Sequence, residues 1–217
     1  MRHSKRICTM VGALLLISLA SVTADVIYVA TDGNDATGDG SNGAPFLTIQ
    51  KGIAEATNGD TVRVKNGTYT GTGNVNLSFQ GKAILVTSND FVTTPENLII
   101  DCGGSPNRAF VFDDGETNSS VLSNFTIRNG DVRTRVVNFQ DDKNGGAIKM
   151  LASPKIVNCV FQDCQARVGG AVHIIVPSSN PNSPVFEDCK FYSNNATVTA
   201  TDGGAMYCGT NAGVTID

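Results

Sequence analysis

The chain has 217 residues, a net charge of −4, no tryptophan, 6% aromatic residues and 23 glycines. That length suffices to bury a sizeable core. The acidic surface repels phosphate backbones and argues against a nucleic-acid partner.

Arg2, Lys5 and Arg6 precede a short apolar run, Val11 to Ala20, and Val22-Thr23-Ala24 offers small residues at a cleavage site. Residues 1–24 therefore read as a secretory signal peptide, which predicts a secreted or cell-surface protein. Its removal leaves 13 Lys+Arg against 20 Asp+Glu, a net charge of −7. No later stretch is long and apolar enough to span a bilayer. Five cysteines follow the leader: Cys102, Cys159, Cys164, Cys189 and Cys208. Their spacing gives no zinc pattern, and the odd number leaves one without an internal partner. Asn-x-Ser/Thr sequons stand at Asn66, Asn76, Asn118, Asn124 and Asn195.

Residues 25–60 form an entry segment. A strand-like run, Val26 to Val29, leads into a loop rich in Asp, Asn and Gly that contains Gly38-Asp39-Gly40-Ser41-Asn42-Gly43. This G-x-G-x-x-G stands too far from its strand for a nucleotide site, and Pro45 and Phe46 intervene before the helix. Its expected role is turn geometry. Asp32, Asp35 and Asp39 are candidate calcium ligands in the same loop, although their spacing breaks the EF-hand pattern. Ile49, Ile53 and Ala56 give one apolar face of a short helix over Thr48–Ala56. Thr61 to Val64 then alternates as a strand, with Val62 and Val64 inward.

From residue 61 onward the chain repeats. Asn158-Cys159-Val160-Phe161 recurs as Asp188-Cys189-Lys190-Phe191, and Asn124-Phe125-Thr126-Ile127 fits the same template. Gly-Gly-Ala recurs at Gly145, Gly169 and Gly203. β-rich units of this size predict a solenoid of short parallel strands, right-handed by the general rule for parallel crossovers. The expected inward columns are Phe125/Cys159/Cys189 and Ile127/Phe161/Phe191. Thr126/Val160/Lys190 and Arg128/Gln162/Tyr192 are expected outward, with Asn124/Asn158/Asp188 at a bend. Cys159 and Cys189 are either a buried stack or an inter-coil disulfide. The helix before the first coil is expected to cap the solenoid. Residues 61–217 stop in mid-repeat at the Gly203 unit, which predicts a piece of something longer.

The entry segment, with its Pro45-Phe46-x-Thr48-Ile49 and Gly59-Asp60-Thr61-Val62-x-Val64 elements, resembles that of secreted right-handed parallel β-helix proteins of the pectate-lyase-like superfamily. The Gly-Gly-Ala-Ile and Phe-x-x-Asn repeats also resemble those of chlamydial polymorphic outer-membrane proteins. The resemblance implies an all-β right-handed parallel β-helix with an N-terminal capping helix. It implies a polysaccharide or cell-surface glycan as partner, with adhesion or binding as the function and a pectate- or alginate-type lyase or hydrolase as the alternative. The residue after the inward position of each Gly-Gly-Ala strand gives an outward column, Lys149, His173 and Tyr207. All three side chains can move protons, so they are the candidate catalytic or contact groups. Asp141 and Asp142 lie just before this column. The aligned Asp-rich calcium site with a neighbouring Arg, expected of such lyases, is not recognisable.

Overall fold

The computed structural model describes residues 23–90, 95–104, 106–136, 140–175, 183–197, 203–209 and 213–217. Residues 1–22, most of the expected signal peptide, lie outside the described residues. The protein is an all-β parallel solenoid of about five turns with one α-helix. Among the described residues no helix is long and apolar enough to cross a membrane.

Strand β1 (Val26–Val29) leads through the glycine loop to helix α1 (Ile49–Glu55). Thr48 starts the helix, its side chain accepting the Lys51 N–H from an extended backbone. Ile49, Gly52 and Ile53 face inward onto β1 and the next strand. Gly52 permits that approach, because a Cβ there would stand 2.6 Å from a Val29 methyl.

The turns follow in order. The first comprises β2 (Thr61–Val64), β3 (Gly67–Tyr69) and β4 (Leu77–Ser78). The second comprises β5 (Leu85–Ser88), β6 (Leu98–Gly104) and β7 (Phe110–Phe112). The third comprises β8 (Val121–Ser123), β9 (Thr126–Gly130) and β10 (Ile148–Met150). The fourth comprises β11 (Lys155–Val157), β12 (Val160–Gln162), β13 (Gln165–Ala166) and β14 (Val172–Ile174). The fifth comprises β15 (Val185–Glu187), β16 (Lys190–Tyr192), β17 (Asn195–Ala196) and β18 (Met206–Cys208). Strand β19 (Thr215–Ile216) begins the course again.

Equivalent strands stack in parallel. The first sheet runs β1-β2-β5-β8-β11-β15-β19, the second β3-β6-β9-β12-β16 and the third β4-β7-β10-β14-β18; β13 and β17 form a fourth, two-stranded sheet. The register joins Val62 to Val86, Leu122, Ile156 and Phe186, all no more than 1% exposed. Ile127, Phe161 and Phe191 form the matching core column of the second sheet, and the Phe161 and Phe191 rings stack with centroids 4.9 Å apart. Such burial is the main stabilising term, about 1.5–3 kcal/mol for each large side chain. Burial thins toward the last turn, where Cys189, Phe191 and Met206 are only partly covered.

Corners explain much of the sequence. Asn124, Asn158 and Asp188 have φ of +64°, +47° and +52°, as the bend placement anticipated. Asn158 Nδ2 donates to Asn124 Oδ1 at 2.8 Å, so the side chains form a ladder across turns. A second left-handed column, Asn129, Asp163 and Ser193, closes the other end of the second-sheet strands. Asn and Asp tolerate this region better than other non-glycine residues.

Cys102, Cys159, Cys164, Cys189 and Cys208 are free thiols. Cys159 and Cys189 are therefore a stack of small apolar groups, each Sγ donating to the carbonyl two residues before it, Val157 and Glu187, at 3.4 Å. Burial pushes the Cys189 thiol up to about 11 and the Cys159 thiol higher still.

Candidate functional site

The third sheet carries the Gly-Gly-Ala strands. Gly145, Gly169 and Gly203 have φ of +68°, +56° and +55°. A Cβ on Gly169 would lie 2.1 Å from the Val172 carbonyl oxygen of its own coil. A Cβ on the following Gly170 would lie 2.2 Å from the Gly204 carbonyl of the next coil. The first glycine thus permits the corner, and the second lets successive coils approach. Ala171 is fully buried behind them.

This anchoring fixes the register of the strands that the glycines precede. Lys149 pairs with His173, and His173 with Tyr207, while Ile148, Val172 and Met206 line the inner side. The column continues backward through Val111 and Ser78.

The three side chains are not equally accessible, contrary to an open outward column. His173 is only 2% exposed. Its Nε2 lies 3.3 Å from Asn144 Nδ2, and its ring stacks on Tyr207 with centroids 5.2 Å apart and planes 10° from parallel. Asn144 belongs to the long connection between β9 and β10, just before the Gly145 corner. Lys149 Nζ pairs with Asp142 Oδ1 at 2.9 Å, its side chain 15% exposed. That hydrogen bond holds the Asp142 carboxyl below the usual carboxylate range. Beneath the same turn, Arg108 is 1% exposed and donates through Nη2 to the Asp142 carbonyl. Its Nε and Nη1 have no hydrogen-bond partner among the described residues. Burial pulls the guanidinium down to about 10. A ligand lying on this face would meet Tyr207 and the Lys149–Asp142 pair, with His173 behind them. Asp142 was visible as an acid just before the column; Arg108 and Asn144 carried no sequence signal for this role.

The acidic loop holds together by internal bonds. Asp35 Oδ1 accepts the Leu47 and Thr48 N–H groups at 2.7 and 3.0 Å, and its Oδ2 accepts the Thr48 hydroxyl at 2.8 Å. Asp39 Oδ1 accepts the Ser41 N–H, and bonding to Ser41 holds its pKa below the ordinary value. Asp32 is exposed beside them. Among the described residues no three His, Cys, Asp or Glu side chains converge to hold a metal ion. Gly33 and Gly38 lie where a Cβ would meet Phe46 and Asn34 carbonyl oxygens at 2.2 and 2.4 Å, so these glycines serve a tight crossing of backbone.

No family model matches the chain. A stretch of 91 residues is 30% identical to "Pectate lyase PEL9" of Emericella nidulans, covering 36% of this chain and 22% of that protein. Among solved structures, a "Rhamnogalacturonan lyase" superposes with a TM-score of 0.53 at 15% identity, over 89% of this chain and 50% of the other. The chain thus spans about a fifth and a half of these two proteins. By fold this protein is a parallel β-solenoid that superposes on a rhamnogalacturonan lyase, and over part of its sequence it is similar to a pectate lyase.

Proposed function

We propose that this protein is exported and engages an acidic polysaccharide through the outer face of its third sheet. The observation that supports this is the in-register column of Lys149, His173 and Tyr207 with Asp142 beside it. Stacked coils repeat at about 4.8 Å. A polymer laid along the solenoid axis therefore meets the Lys149–Asp142 pair and Tyr207 two coils apart, with buried His173 between them, which suits binding or adhesion at a cell surface. Export rests on the basic and apolar leader. In this reading the coil is right-handed, and α1, whose buried face lies on β1 and β2, closes its first end.

The similarity to a pectate lyase favours a second reading, β-elimination. A base removes the proton beside the uronate carboxylate, the glycosidic C–O bond breaks, and the leaving oxygen gains a proton. The product is an unsaturated uronate. Lys149 would neutralise the carboxylate after exchanging Asp142 for substrate, and Tyr207 would serve the proton transfers. A calcium ion could share the neutralisation.

One panel of pectate, alginate and glycosaminoglycans, with and without calcium, separates the readings. Binding without new ultraviolet absorbance supports the first, and absorbance growth supports the second. Lys149→Ala and Tyr207→Ala should each weaken the response about tenfold. No binding and no absorbance with any substrate would remove both readings.

A further inference from the structure

A second surface on another face has the features of a sugar site. The outer side of β6, β9, β12 and β16 forms a groove of about 450 Å³. That volume falls in the range of small-ligand clefts. One wall is the 3-10 turn Pro95–Asn97, tied down by Thr126 Oγ1 donating to the Pro95 carbonyl at 2.8 Å. Ile99 and Val160 form an aliphatic floor, suited to the C–H face of a sugar ring.

The rim is polar and carries cationic groups with donors left open. Asp101 takes Nε of Arg128 at 2.9 Å and fixes the guanidinium plane. The terminal nitrogens of Arg128 have no hydrogen-bond partner among the described residues. Lys190 is exposed and has no ion pair among them. Tyr192 is 52% exposed and stands one strand from Gln162 in the same column. Arg128 and Lys190 thus offer open cationic donors in one groove of a chain whose net charge is −4. Exposed Glu96 is the one lining carboxylate.

We infer that this groove is a separate binding site for an acidic oligosaccharide. The Tyr192 ring supplies a stacking platform, while Arg128 and Lys190 receive carboxylates. The sharing of a ligand class with the third-sheet face is the only link between the two sites, and the groove stands without it.

The test is calorimetric titration of the full chain with oligogalacturonate, and with its methyl ester, which keeps the sugars but removes the charge. Binding to the acid and at least tenfold weaker binding to the ester are expected. Affinity for the acid should fall as salt rises. Tyr192→Ala and Lys190→Ala should each weaken it about tenfold, and should do so equally in a Lys149→Ala background, where the third-sheet contribution is reduced. Tyr192 and Lys190 are exposed, so these variants should keep the wild-type melting temperature. The inference is overturned by no binding, by equal binding of acid and ester, or by indifference to both groove variants. Loss confined to Lys149→Ala would place the sugar on the third-sheet face and overturn the groove as well.

Discussion

Replacing Gly169 by alanine tests how the third sheet is built. At φ +56° an L side chain costs about 1–2 kcal/mol. The new Cβ would also stand 2.1 Å from the Val172 carbonyl oxygen, which belongs to backbone and has no flexible end to yield. Moving that peptide disturbs the pairing of β14, and a buried polar group left unsatisfied costs about 1–3 kcal/mol. The total loss is expected near 3 kcal/mol, a large share of a typical domain stability of about 5–15 kcal/mol. Gly43 is the internal control, because a Cβ there meets nothing within 4 Å and its φ is not positive. Gly43→Ala should be neutral, or stabilising by about 0.4–1 kcal/mol. Both variants should be followed by thermal melts and urea titration. A chain of this size loses about 2–4 °C per kcal/mol, so Gly169→Ala should melt about 6–12 °C lower. A Gly169→Ala shift no larger than that of Gly43→Ala would refute the corner account.

Three further outcomes rest on the same geometry. Asn158→Ala should destabilise by about 2 kcal/mol through lost ladder bonding and positive φ, and Asn158→Gly should recover the backbone part, as read by urea midpoints. Asp60 accepts the Asp25 N–H and both the N–H and hydroxyl of Thr57. Burial alone would raise its pKa, but these bonds outweigh it and hold the carboxyl below its ordinary value. Its stabilisation is thus complete above the unfolded pKa of about 3.9 and is lost as pH falls through the lower native value. Asp60→Ala should cost about 1.5–3 kcal/mol at neutral pH and flatten the acid limb of a stability–pH series below pH ~4. Arg108→Met should leave the melting temperature unchanged or higher, because it removes a buried cation with two unpartnered donors. A loss above about 1 kcal/mol would mean that its bond to the Asp142 turn outweighs the burial cost.

The stacking of coils was legible because parallel in-register strands put equivalent residues one above another. Repeated Cys-x-Phe and Gly-Gly-Ala positions therefore gave the register of β12 with β16 and of β10, β14 and β18 directly. The ladder at Asn124, Asn158 and Asp188 was visible because few residue types accept positive φ. The companion column at Asn129, Asp163 and Ser193 was not, since serine is no signature of that conformation. The first two turns share neither motif and emerged only from backbone pairing. The burial of His173 was hidden because its cover, Asn144, comes from a connection outside the repeat. The groove on the second sheet was hidden for a similar reason: its wall, Pro95–Asn97, folds over strands that come later in the chain. Alternation tells which side chains point outward, whereas accessibility depends on what later crosses them.

The central claim is that the outer faces of this solenoid receive an acidic polysaccharide. The most direct measurement is calorimetric titration of the full chain with pectate, repeated with fully methyl-esterified pectin. The account predicts saturable binding to pectate that weakens with salt and with esterification. Absence of binding to pectate, or equal binding to the neutral polymer, would contradict it.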